Sequence, residues 1–264
     1  MWTRALLKQN AKVAFQRNYW LCVAVSFVTL VLMGGFSVGS SSTVNVSNVN
    51  NVSDTSIDYS LESLVEFFEQ VPPYFWTILW AAMAVGLIIG LCVSILFTNL
   101  VQVGCNRYFL ENREHKTGFG QLFYSFQGGR YKSTVWVMFL KMVYIFGWSL
   151  LFLIPGIVKS YSYLLVPYIM AENPSLDHKR VFKLSREMMK GHKWDAFVLE
   201  LSFMGWFLLA AFVPMGILNI FYVNPYVYAT YAEFYSAVKA EARMKGIVQP
   251  DELPNMLALE VEIE

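Results

Sequence analysis

Three ionisable residues stand inside otherwise apolar stretches of this sequence: Lys141, Glu200 and Glu233. A charge in hydrocarbon is costly, so such a group faces protein or water and takes a partner. The helical rise puts Glu200 roughly 10 Å beyond Lys193, Lys141 about 13 Å beyond Lys132, and Glu233 about 9 Å from Lys239. One cation and two carboxylates at similar depth suit two chemistries. One is a structural ion pair or hydrogen-bonded cluster, with Lys141 stretching its ammonium toward the interface. The other is a path for an ion, a proton or a substrate. Both stay open on sequence alone.

No other pattern offers catalysis. HExxH and P-loop motifs are absent, and His115, His178 and His192 are scattered through polar loops. Cys22, Cys92 and Cys105 lie in or beside apolar runs without CxxC spacing. They read as small buried hydrophobes rather than a disulfide or metal set. The expectation is a protein that is not an enzyme, with no metal and no cofactor.

The elements that must hold those charges follow from composition. Of 264 residues 56% are hydrophobic and only 15% charged, against about 25% charged in soluble domains. A bilayer core takes roughly 20 apolar helical residues, and the sequence predicts an all-α integral membrane protein with a six-helix bundle. The expected spans are about 20–39, 74–103, 134–154, 157–171, 196–217 and 221–240, within one polytopic domain over 1–245 and an acidic tail over 246–264. The fourth span is short and polar, and charge argues for it. Lysine and arginine concentrate in cytoplasmic loops. Six spans with both termini inside leave only Lys141 and Lys159, of 20 basic residues, deep within spans, with Lys239 at the cytoplasmic edge of the last. The connection 40–71 has no lysine or arginine and carries Asp54, Asp58, Glu62, Glu66 and Glu69, so it is read as external. Its Asn45-Val-Ser and Asn51-Val-Ser are glycosylation sequons, relevant only in a eukaryotic host. The first span is expected to remain uncleaved, because its apolar run exceeds the roughly 7–15 residues of a signal peptide.

One or two amphipathic helices are expected on the cytoplasmic face. The first, 176–190, has Ser175 as its cap and Gly191 as its stop. Val181, Leu184, Ser185 and Met188 share one face, and Lys179, Arg180, Lys183, Arg186 and Lys190 occupy the rest. Such a helix either lies in the headgroup boundary of anionic lipid or caps the bundle from below. Phe119, Leu122, Phe123 and Phe126 mark a shorter second one. Asn224-Pro225 reads as the start of the last helix, and Pro155-Gly156 as a turn. Ala82, Gly86, Gly90 and Ser94 recur every fourth residue, a ladder that lets another helix approach closely.

From about Val101 to Lys239 the order of motifs resembles a known family. These motifs are Phe123-Tyr-Ser-Phe-Gln-Gly-Gly-Arg-Tyr, Ile154-Pro-Gly-Ile with Tyr163 and Val166-Pro167, and Ser185-Arg-Glu-Met-Met-Lys-Gly. Leu201-Ser-Phe-Met-Gly-Trp-Phe-Leu and Asn224-Pro-Tyr with Glu233-Phe-Tyr complete the set. The chain resembles the bacterial integral membrane proteins grouped as domain of unknown function 975. That resemblance implies a multispanning plasma-membrane protein and brings no reaction with it. The chain is more distantly similar to membrane domains attached to some glycerophosphodiester phosphodiesterases, without their catalytic domain.

The leading functional expectation is a non-enzymatic membrane component. Its partners would be the bilayer, with anionic headgroups or a partner protein on the basic helix, and a membrane-protein partner or second copy; no nucleic acid is expected. The alternative is a small permease or transport subunit using Lys141, Glu200 and Glu233.

Overall fold

The computed structural model describes residues 2–33, 72–212 and 216–253. All regular structure among the described residues is helical. The helices are α1 (Arg4–Arg17), α2 (Tyr19–Leu32), α3 (Pro73–Val93), α4 (Asn99–Asn112), α5 (Arg130–Leu151), α6 (Leu153–Ser162), α7 (Val166–Glu172), α8 (His178–Met188), α9 (Lys193–Ala211) and α10 (Asn224–Met244). A 3-10 segment covers Phe119–Phe126, and π-helical turns cover Ser94–Thr98 and Asn219–Val223. The acidic connection 40–71 with its sequons, the end of the first expected span, Pro214 and the last residues of the acidic tail lie outside the described residues. The chain divides into two compact units, Met1–Phe36 with Ile95–Glu264, and Ser37–Ser94.

In the second unit, α3 is 21 residues without a charge. Its ladder residues Ala82, Gly86 and Gly90 are exposed, and a Cβ on either glycine would meet open space. Cys92 is exposed here too, whereas Cys22 and Cys105 are buried as expected.

The first unit is built round α4. Twelve of its 14 residues are buried, polar ones included. The 3-10 segment docks on it through Leu122, which is fully buried, while Phe123 stays outside. Gly104 is required there, since a Cβ would stand 1.9 Å from the Leu122 carbonyl oxygen. α1 and α2 meet at a bend of 100°. Asn18 holds that corner, donating to the Tyr108 hydroxyl at 3.2 Å and the Thr117 carbonyl at 3.0 Å.

Proline sets three boundaries differently from the sequence reading. The expected span 157–171 is two helices, α6 and α7, broken at Tyr163–Leu165. Pro167 has no N–H for the Tyr163 carbonyl, which accepts from Val166 N at 3.3 Å instead. The turn after α5 falls at extended Phe152, not at Pro155-Gly156, which lie within α6. Gly156 serves the hairpin differently, because a Cβ there would sit 2.4 Å from Ser149 Oγ. Asn224 is not a cap. The π turn runs into α10 with helical dihedrals at Asn224. Pro225 cannot donate to the carbonyl four residues earlier, that of Phe221, and the Tyr19 hydroxyl donates to that oxygen at 3.2 Å. A π turn is one way a helix absorbs such a lost bond.

Candidate functional site

The polar interior begins on α4. Arg107 and Glu111 pair at 2.8 Å, with side chains only 9% and 2% exposed. Charges so enclosed persist only when paired and hydrogen-bonded. Arg107 Nη1 donates to the Ala171 carbonyl at 2.8 Å, at the C-terminal end of α7, where helix carbonyls lack internal partners. Its Nε reaches Gln121 at 3.2 Å, and its guanidinium lies 3.7 Å from the centre of the Tyr124 ring.

One turn further, α4, α7 and α10 share a second set. Glu172 accepts from the Tyr235 hydroxyl at 2.5 Å and from Lys239. Arg113, just past α4, grips Glu233 with Nε at 2.8 Å and Nη2 at 3.2 Å. A cavity of about 390 Å³ opens beside them, lined by Arg113, Lys239 and Arg243, by Glu114 and Glu172, and by Ser236. Cations and carboxylates balance there once Glu233 is counted. The cavity suits a small polar molecule that both donates and accepts hydrogen bonds. Among the described residues no cluster of His, Cys, Asp and Glu could hold a metal.

The three charges that the sequence reading placed within expected spans do not meet. Glu233 goes to Arg113. Glu200, exposed on α9, accepts from the Tyr161 hydroxyl at 2.5 Å. Lys141 lines a separate cleft on α5. The shared level fails because α5, α9 and α10 turn these side chains toward different neighbours.

The basic helix also differs from its expectation. It starts at His178, and Asp177 rather than Ser175 is the cap, accepting from Lys179 N at 3.1 Å. Ser175 N instead donates to Asn173 Oδ1 at 3.0 Å. Val181, Phe182, Leu184, Ser185 and Met188 are buried in protein, so α8 caps the bundle and offers no apolar face to a membrane. Arg180 is taken by the C-terminal segment: Nε lies 2.5 Å from Glu252 Oε1, and Nη2 donates to the Ile247 carbonyl at 2.9 Å. The Arg180 hydrogen bond holds the Glu252 carboxyl below its usual range. Leu253 is fully buried, so the start of the acidic tail packs onto the body. Lys179, Lys183, Arg186 and Lys190 remain exposed.

Sequence reasoning missed Glu172 and the Arg107–Glu111 pair. Their signals were available: Tyr235 and Lys239 stand four apart on one helical face, as do Arg107 and Glu111.

The helices bear on the class of protein through their length and composition. Two continuous helical runs, Tyr74–Asn112 (α3, the π turn and α4) and Arg130–Leu151 (α5), are long and apolar enough to cross a membrane, and a third joins them if bent α1–α2 counts as one span. The chain belongs to the family described as "Protein of unknown function (DUF975)", whose model matches residues 5–242. The match reaches well before Val101, where the motif resemblance begins. No curated protein and no solved structure matches the chain.

Proposed function

We propose that this is a multispanning membrane protein with six crossing segments and cytoplasmic termini. It acts as a non-enzymatic component that presents a rigid, ion-paired cytoplasmic end to an acidic partner surface. The observation that carries the reading is where the large apolar residues lie. Ile154 is 76% exposed, Leu150 77%, Phe152 72% and Phe212 85%. They sit at the ends of the α5–α6 hairpin and of α9, away from the ion-paired residues of α4, α7 and α10. Exposed apolar area on this scale marks a membrane or a partner. The exposed cations of α8 are the face left for an acidic partner, since its apolar side is already covered. The permease reading needs Lys141, Glu200 and Glu233 on one path, and their separate partners do not favour it.

Topology labelling tests the proposal. In a variant whose three native cysteines are replaced, a single cysteine at position 179 should resist a membrane-impermeant maleimide in intact cells and react after lysis. Reaction in intact cells would overturn the orientation.

A further inference from the structure

Among the described residues of the first unit, the cleft at Lys141 is the place where a charge inside an expected span has nothing to satisfy it. It has a volume of about 390 Å³ and lies between the start of α4 and the outer face of α5, with Asn99, Met138, Lys141, Met142, Ile145 and Phe146 on its walls. Among the described residues neither the Lys141 ammonium nor the Asn99 amide has a side-chain hydrogen bond, an ion pair or a ring beneath it. Ser149, at the far end, is already engaged, donating to the Ile145 carbonyl at 2.9 Å. Lys159, within another expected span, is provided for, since it sits 4.5 Å from the centre of the Trp148 ring.

Depth selects the ligand. Lys141 follows Trp136, which is 52% exposed, by five residues, about 7.5 Å of rise. Tryptophan favours the membrane interface, and helical side chains lean toward the N-terminus of their helix. The ammonium therefore returns toward headgroup level, while Met142, Ile145 and Phe146 continue toward the bilayer centre. The cleft thus has a cationic end near the headgroups and an apolar groove leading away from it, in the order of an acidic phospholipid. We propose that this cleft binds one acidic phospholipid, its phosphodiester on Lys141 and Asn99 and an acyl chain along Met142, Ile145 and Phe146. A zwitterionic lipid carries its own cation and gains less from Lys141, so the site discriminates by net charge. The volume lies within the range of about 300–1,000 Å³ usual for small-molecule sites, enough for the phosphate and the upper part of a chain. This rests on the membrane-spanning reading of α5.

Native mass spectrometry of the full chain, purified in detergent and offered equal phosphatidylglycerol and phosphatidylcholine of identical chains, tests it. The expected result is one retained phosphatidylglycerol, favoured about fivefold, the ratio for one lysine–lipid attraction. Lys141→Gln should bring the ratio to parity, while Lys141→Arg and Lys183→Gln keep it. If Lys141→Gln does not fold, Met142→Trp, which fills the apolar half of the cleft, should lower the ratio instead. Parity in the unaltered protein, an unchanged ratio in Lys141→Gln, or displacement of the lipid by excess inorganic phosphate would each overturn the site. Carbonate washing of membranes separates the two failures. A chain that stays in the pellet yet shows parity lacks the lipid site alone; a chain released into the supernatant loses the spanning reading as well.

Discussion

Residues 100–112 of α4 and residues 142–158 of the α5–α6 hairpin treat side chains in opposite ways. On α4, Asn106, Arg107, Glu111 and Asn112 are buried, each at most 8% exposed. On the hairpin, Phe146, Leu150, Phe152 and Ile154 face outward. In water both arrangements would be unfavourable, for one encloses charge and the other exposes hydrocarbon. The pairs of α4, α7 and α10 account for the first, and on the proposed membrane-spanning reading a bilayer accounts for the second. The contrast teaches that order here comes from a dense polar end, while the apolar helices leave their outer surface to be covered by something other than this chain's described residues.

The largest expected effect breaks the polar end. Glu172→Leu leaves Lys239 and Tyr235 without their shared carboxylate and should cost about 3–5 kcal/mol, as removing one partner of a buried pair does. Denaturant unfolding in detergent reads it, and adding Lys239→Met should recover part of the loss. Recovery of nothing would mean that the pair is not the unit of stability.

Glycine sharpens the comparison. Gly104→Ala forces a methyl into the Leu122 carbonyl and should lower stability by about 1–3 kcal/mol, the usual cost of overpacking. Gly86→Ala and Gly90→Ala meet open space, and alanine in a helix interior should be neutral or favourable by up to about 1 kcal/mol. Equal losses at all three positions in thermal unfolding would erase the distinction between the regions.

A smaller effect is set by pH at the C-terminal segment. Arg180 depresses the folded-state pKa of Glu252, so this contribution is present above the unfolded carboxyl value of about 4.3. It is lost as pH falls through the depressed folded value. Hydrogen exchange at Ile247–Leu253 should therefore rise below about pH 4, and Arg180→Gln should move that rise to higher pH. An unchanged profile in Arg180→Gln would remove Arg180 from the account.

The sequence made the apolar elements legible because a long uncharged run has few other uses; α3 and α5 lie where hydropathy puts them. The family motifs were legible for the same 101–239 stretch that the match now covers and extends. The polar end was harder to read. Arg107 and Glu111 have the spacing of an ordinary surface pair, and nothing in α4 alone says that the 3-10 segment and α7 will cover it. Lys141, Glu200 and Glu233 were grouped by depth, a coordinate along the helix axis. Partners are chosen by azimuth, and that depends on how each helix is rotated by its neighbours. The periodicity put Val181, Leu184, Ser185 and Met188 on one face of α8, but amphipathicity cannot distinguish a face against lipid from one against Tyr163 and Tyr144, whose rings meet Phe182.

Collision accessibility of nitroxide labels tests the central claim most directly. Single labels at Phe146, Leu150 and Leu208, in a chain reconstituted into phospholipid vesicles, report the apolar surface; labels at Lys179, Lys183 and Lys190 report the polar end. A lipid-facing site collides more with oxygen, a water-facing one more with a nickel chelate. The account predicts oxygen preference at the first three positions and nickel preference at the last three. Nickel preference at Leu150 and Leu208 would contradict it.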